Sequence, residues 1–470
     1  MKIRIIFYFL SFLFLPALSP AQTTQQLTSE QETWISKANR HEKNGWLYLH
    51  IEGNPEERGF QYGYLLANEI KESIRVISVT WEYQTAMKWS WLVQKAGGIF
   101  SKKVDPENLR EINGMVKGMK AANISTSQDE LVALNGYLEL MWYWFPTIKD
   151  SLKINSPEIV KQSCSSFIAT GSMTSDGGIV LGHNSMFEYY GPPCNLILDI
   201  APEKGHHILM QAFVGFIHSG TDFFVTDAGL VGSETTIGDF FPFDESGVPE
   251  FSRMRTATQY ASSIDEWCKI MKKENNGGYA NSWLLGDVNT NEIARLELGL
   301  KYVGFEMKKD GFFTGSNVPE DLRILRFETK LHETDIKGSD VARRVRWKSL
   351  MKEYTGMINL ELAEKFEADH FDTYLNKELP DSRTLCAHFD LDEELSGPDL
   401  PFDPDGTLDG KVLDSKMAKQ MSFVARWGSA CGKAFDAKKF LQQHPQFVWM
   451  AGILKSRPTE PWTIFQAGEK

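Results

Sequence analysis

The chain has 470 residues, with 50 Lys and Arg against 62 Asp and Glu, a formal charge of −12 and a pI near 5.4. Such a field repels nucleic acid and anionic membrane surfaces, and no Lys/Arg cluster overrides it, so neither is expected as a partner. Five cysteines in so long a chain are too sparse for a disulfide scaffold, because such frameworks are dense and belong to small domains.

Lys2 and Arg4 precede an apolar run from Ile5 to Leu15, and Ser19-Pro-Ala21 supplies small residues for a cleavage site. Residues 1–21 therefore read as a secretory signal peptide, with a mature, exported chain starting at Gln22. No later stretch is long and apolar enough to span a bilayer, so stable membrane insertion is not expected. Residues 22–163 read as helix-rich. From Glu56, Phe60, Gly63, Ala67, Ile70, Ile74 and Ile77 recur at spacings of four and three, which predicts one amphipathic helix. Asp105-Pro106 begins a second helix with a cap and a first-turn proline, and Ser127-Gln-Asp-Glu130 is a capping box for a third.

The polar, turn-prone stretch from Asn155 to Ser163 then delivers the chain to Cys164. Ser165 to Thr170 and Ile179 to His183 are β-branched and apolar, and Thr174-Ser-Asp-Gly-Gly178 joins them, so the segment reads as two buried strands with a cysteine at the mouth of the first. Attack of the Cys164 sulfur on the Ser163 carbonyl would cut the chain there and free an α-amine. A reference pKa of about 7.7–8 suits that amine to act as the thiol's own base. Strand patterns follow at 195–200, 207–214, 294–297 and 301–307, with helical periodicity at 253–273, 340–354 and 360–369. Helix-rich, strand-rich, then helical blocks predict an α+β fold with helix-covered sheets, one globular unit made of segments 22–163 and 164–470.

Metal chemistry finds no support in spacing, since neither Cys-x-x-Cys nor His-Glu-x-x-His occurs, and no cofactor is expected. Cys386 and Cys431 are the likeliest disulfide pair, and His206-His207 reads as solvated or packed. Tyr279-Ala-Asn-Ser-Trp283 enters a strand, where Asn281 offers a neutral amide donor suited to an oxyanion. His183 and Asn184 are adjacent on one strand, so only one of them can face Cys164. Thr235 and Thr236 are candidates for a hydroxyl or N–H near the site, with Glu234 a weaker one. Asn317 and Arg323 are candidates for anchoring a substrate carboxylate or phosphate, although Arg323 and Arg326 read equally well as surface charges on a short helix.

Cys164-Ser-Ser, the glycine-bearing turn and Gly182-His183-Asn184 resemble the nucleophile hairpin of phospholipase B-like proteins and penicillin acyltransferase-like amidases. Ser233-Glu-Thr-Thr-Ile-Gly238, Tyr279 to Trp283 with Asp287, and Ser316-Asn-Val-Pro319 follow in the order of the phospholipase B-like blocks. Met186 stands where the acyltransferase branch carries an aspartate, which favours the phospholipase B-like branch. The resemblance implies a four-layer αββα sandwich of the N-terminal-nucleophile type. It also implies Cys164 as nucleophile, His183 and Asn281 as its helpers, and self-cleavage between Ser163 and Cys164 with both fragments remaining associated. The activity expected is hydrolysis of a carbon–nitrogen amide, or an ester, of an acylated small molecule. A lipid esterase and a non-enzymatic exported binding protein are the alternatives.

Overall fold

The computed structural model describes residues 26–154, 164–395 and 400–470, so the signal-peptide reading and Ser163 lie outside the described residues. In chain order the strands are β1 (Asn39–Lys43), β2 (Trp46–Gly53), β3 (Ser165–Thr170), β4 (Val180–Glu188), β5 (Leu196–Pro202), β6 (Ile208–Ala212), β7 (Phe223–Thr226), β8 (Leu230–Thr236), β9 (Asn281–Asp287), β10 (Glu292–Leu298), β11 (Val303–Lys308), β12 (Gly311–Gly315), β13 (Phe371–Asp372), β14 (Lys377–Glu378), β15 (Asp405–Asp414), β16 (Ser422–Trp427) and β17 (Thr463–Gln466). Among the described residues they form a nine-stranded sheet ordered β1-β2-β5-β6-β7-β8-β9-β10-β11 and a six-stranded sheet ordered β12-β3-β4-β15-β16-β17. A two-stranded ribbon, β13-β14, stands apart from both. Between these named strands, pairing is antiparallel except for β2 against β5.

Side-chain alternation sorts these sheets into layers. On β3, Ile168 meets Leu181, Ile197, Leu209, Val231 and Leu284 in a core between the sheets. Its neighbour Phe167 faces the other way, into Trp347, Leu350 and Phe366 of the helices Ser339–Glu353 and Leu360–Glu367. The outer face of the nine-stranded sheet, with Leu49, Leu198, Phe224 and Trp283, is covered by the N-terminal helices and by Glu250–Tyr260 and Ile264–Lys272. Three apolar cores between four layers make an αββα sandwich within an α+β fold, as expected.

Local sequence explains where the periodic stripes stop. The helix expected from Glu56 onward is two, Pro55–Leu65 and Ala67–Thr85, separated at Leu66, whose φ of −117° and ψ of 26° leave the helical range. The stripe at 253–273 is likewise two helices, because Ser263 adopts extended φ and ψ and caps the second one by accepting from Glu266 N. Helix Pro55–Leu65 lies unusually close to Pro106–Ala121. A Cβ on Gly59 would sit 1.9 Å from the Glu111 carbonyl, and one on Gly118 would sit 2.3 Å from the Phe60 carbonyl. That approach seats the fully buried Arg58 on Glu111, Nη2 to Oε2 at 2.7 Å, while Arg255 reaches the same oxygen at 3.1 Å from helix Glu250–Tyr260. The segment expected to be helical also supplies two strands: β1 and β2 belong to it and are built into the larger sheet. Among the described residues, no helix is long and apolar enough to cross a membrane.

Candidate active site

Cys164 stands immediately before β3, whose ladder with β4 pairs Ser165 with Asn184 and Ser166 with His183. Alternation therefore turns Cys164 to the same side as Ser166, whose hydroxyl lies 2.6 Å from Ser233 Oγ across the gap between sheets. There it lines a small pocket with Ser185, Phe213, Asp222, Tyr279 and Leu408, among others. The pocket has about 10 Å³ of room, the space of a single water. Burial, then the neighbouring Asp222 carboxylate, push the thiol up to about 12, partly offset by the Met186 backbone N–H donating to the sulfur. On its own this thiol is a poor nucleophile at neutral pH.

Arg343, fully buried on helix Ser339–Glu353, fixes the backbone at this point. Its Nη1 donates to the Cys164 carbonyl at 2.6 Å and to Ser165 Oγ at 3.2 Å. Nη2 donates to Asn317 Oδ1 at 2.8 Å and Asp340 Oδ1 at 3.1 Å, and the Asn317 amide in turn donates to Thr236 O at 2.7 Å. The guanidinium thus ties β3, the start of helix Ser339–Glu353 and the end of β8 to the residue beside the sulfur.

Sequence candidates separate on this frame. His183 points between the sheets, on the face of Cys164, but two residues deeper than Ser185, which is the one that reaches the pocket. Its Nε2 sits 3.0 Å from the Glu234 carbonyl, and Nδ1 is buried without a partner. Burial, then Lys411, hold the ring well below its ordinary range, so it is neutral. Asn281 is completely buried at the head of β9, and both its side-chain oxygen and its nitrogen lack partners. It does not line the Cys164 pocket, and alternation puts it on the face of β9 that carries Trp283 and Leu285. Thr235 Oγ1 is similarly unmet, facing Gly315, whereas Thr236 Oγ1 donates to Tyr279 Oη at 2.9 Å.

Three candidates change role. Asn184 faces the opposite layer, its amide donating to Glu367 O at 2.7 Å and Leu385 O at 2.9 Å, because adjacent strand residues alternate. Asn317 is engaged at both ends in the Arg343 bracket and braces the site rather than anchoring a substrate. Arg323 is a surface charge: its exposed side chain pairs with Asp321 at 2.6 Å on the first turn of a short helix, and it leaves the site.

The phospholipase B family model matches residues 99–328, a span that contains Cys164, His183 and Asn281. Over that span, just under half of the chain, the sequence is similar to phospholipase B. It is 26% identical over 209 residues to phospholipase B-like protein C of Dictyostelium discoideum, covering 38% of this chain and 36% of that one. It is 24% identical over 263 residues to phospholipase B of Crotalus adamanteus, covering 51% and 44%. In these two relatives the match spans less than half their length. Penicillin V acylase from Agrobacterium tumefaciens aligns at 12% identity and a TM-score of 0.34, over 57% of this chain and 83% of that one.

Three residues of this site went unmarked in the sequence, Asp222, Arg343 and Lys411, and Tyr279 was noted only as the start of a motif block. Lys411, fully buried between the sheets, donates to Ser185 Oγ at 2.6 Å and pairs with Asp409 at 2.5 Å. Alternation on β15 could have flagged it, since a lysine in phase with Leu413 points at the core. Tyr279 Oη donates to Asp222 Oδ2 at 3.3 Å. Asp222 and Glu234 form a buried carboxyl pair. Burial raises Asp222 to about 6, and burial together with Asp222 raises Glu234 well above the carboxylate range. The folded state therefore binds protons that the unfolded chain releases, and this stability is present at low pH and lost as pH climbs from about 4 through 6 and beyond. In a Cys164→Ala background, melting curves with and without Glu234→Gln should diverge with pH. The parent should lose on the order of 1–3 kcal/mol relative to the variant on going from pH 4.5 to 7.5; a pH-independent difference would mean the pair is not protonated in the fold.

Proposed function

We propose that this chain is an exported, self-processing cysteine hydrolase of the N-terminal-nucleophile type that cleaves a carbon–nitrogen amide bond of an acylated small molecule. The observation that carries the reading is Cys164 itself: a strand-leading thiol facing a pocket, raised to about 12, with no side-chain base on its sulfur among the described residues. Such a thiol needs a proton acceptor brought to it, and cleavage after Ser163 creates one on the same residue. In the processing step, Cys164 Sγ attacks the Ser163 carbonyl carbon, the peptide C–N bond breaks, and the nitrogen keeps the electron pair and takes a proton to become the free α-amine. Water then hydrolyses the thioester, returning the thiol and a Ser163 carboxylate.

In turnover the α-amine accepts the thiol proton as sulfur attacks the substrate carbonyl. Asn281 Nδ2 donates to the oxyanion, and the ammonium protonates the departing nitrogen before water releases the acyl group as a carboxylic acid. Asp222, raised to about 6, supplies counter-charge for the ammonium, while Glu234, held well above the carboxylate range, stays protonated beside it. His183 is neutral and acts by position, not as the base.

The relatives' printed name, phospholipase B, favours a second reading, a lipid esterase. The leaving group discriminates. An amine must be protonated as it departs, which is what the Cys164 ammonium provides, whereas an alkoxide needs that help less. A chain of net charge −12 also has little to hold it on an anionic bilayer. One acyl chain presented as an N-acyl amino acid and as a phospholipid ester decides between them. The expected result is a higher kcat/KM for the amide, by roughly tenfold or more, and a clear preference for the phospholipid would reassign the enzyme as a lipase.

A further inference from the structure

Far along the chain from the nucleophile, and beyond the 99–328 span of the family match, four metal-ligating side chains converge. His370 follows helix Leu360–Glu367, Cys386 and His388 lie on the loop after β14, and Cys431 lies on the turn after β16. Their donor atoms all fall within 4.8 Å of one another. His388 Nε2 stands 3.4 Å from Cys431 Sγ and 3.8 Å from Cys386 Sγ. His370 Nε2 is buried, has no hydrogen-bond partner and belongs to the same cluster. On the far side of its ring, His388 Nδ1 lies 3.6 Å from Asp390 Oδ1, the carboxylate–histidine arrangement that orients an imidazole for a metal.

We propose that His370, Cys386, His388 and Cys431 bind one Zn²⁺ ion as a closed Cys₂His₂ structural site. Zinc bonds of about 2.3 Å to sulfur and about 2.0–2.1 Å to nitrogen, at tetrahedral angles, separate sulfur from nitrogen ligands by about 3.6 Å. The observed 3.4 and 3.8 Å lie on either side of that edge. Two sulfurs with two imidazoles in a tetrahedral set favour zinc over calcium or magnesium, which take oxygen ligands. On binding, both thiols lose their protons to solvent, two S–Zn bonds form, and the ion's two positive charges balance the two thiolates. Four protein donors leave no position for substrate, so the ion ties chain segments together and does no chemistry.

The sequence suggested a disulfide for the same pair of cysteines, and both are free thiols here. A disulfide would use the two sulfurs and leave two imidazole nitrogens converging on nothing. A metal uses all four atoms. What it fastens matters to the nucleophile: the loop carrying Cys386 also presents Leu385 O to Asn184, on the outer face of the strand that holds His183 and Ser185.

The test takes the full-length, untagged chain purified without chelator. Metal analysis is expected to give about one zinc per chain, and chelation with EDTA should lower the melting temperature by several degrees, restored by added Zn²⁺. Reduced, metal-free protein titrated with Co²⁺ should develop the sulfur-to-cobalt charge-transfer band and intense visible bands of a tetrahedral S₂N₂ site, a readout that depends on no variant. His370→Gln, a change at one of the two ligands that are not fully buried, should weaken zinc affinity at least tenfold while leaving an intact fold. Metal-free purified protein two hydrogens lighter than the reduced chain, with Cys386 linked to Cys431, would overturn the proposal, as would reduced protein that shows no tetrahedral cobalt spectrum.

Discussion

Cys164→Ala is expected to give a single uncut polypeptide with no measurable hydrolysis, whereas the wild type yields two fragments, the second beginning at Cys164. The methyl group keeps the shape of the buried position, and the Arg343 bracket holds the backbone carbonyl and not the sulfur, so the variant should fold. Both losses have one cause, because the sulfur that forms the processing thioester is also the one that forms the acyl-enzyme. Intact mass and N-terminal sequencing read the first loss, and single-turnover acyl release reads the second. Wild type that is fully active as one chain would sink the α-amine mechanism. An active Cys164→Ala would remove the enzyme from the cysteine class altogether, and with it the case against a simple binding protein.

Asn281→Ala should lower kcat on the order of 10²- to 10³-fold, the usual cost of losing one oxyanion donor. KM should change far less, since the negative charge it serves exists only in the transition state. Stability argues the same way. Both polar atoms of this side chain are buried and unmet, so alanine removes an existing desolvation cost and need not destabilise the fold. A processed, folded Asn281→Ala enzyme with near-normal kcat would take Asn281 out of the chemistry.

Periodicity located most strands and helices because each presents one or two apolar faces, and the cysteine hairpin was legible for the same reason, both strands being buried up to Glu188. Breaks at Leu66 and Ser263 were missed because an uninterrupted stripe says nothing about a one-residue departure from helical dihedrals. Arg343 escaped notice for a different reason. An arginine on an amphipathic helix reads as solvated, yet its spacing of four from Trp347 and seven from Leu350 puts it on the buried stripe. Arg323 was the reverse error, a charge near a motif that merely pairs with the neighbouring Asp321. The His370, Cys386, His388 and Cys431 cluster shows the wider limit: its ligands come from three separate segments, and spacing rules only find ligands that are close in sequence.

The strands β1 and β2 lead to one last consequence. They precede Cys164 by more than a hundred positions, yet β2 runs parallel to β5, with Leu47 beside Leu196 and Ile51 beside Ile200, and Tyr48 Oη donates to Asp199 at 2.7 Å. A sheet assembled in this way cannot be finished from the nucleophile segment alone. The nine-stranded sheet that packs against β3 is complete only once the segment before Cys164 has joined it, so a cut made by that sulfur is expected after folding. Maturation would then serve as quality control: every clipped molecule carries a covalent record that its tertiary structure was once complete, and an unclipped one in a preparation is a molecule that has yet to get there.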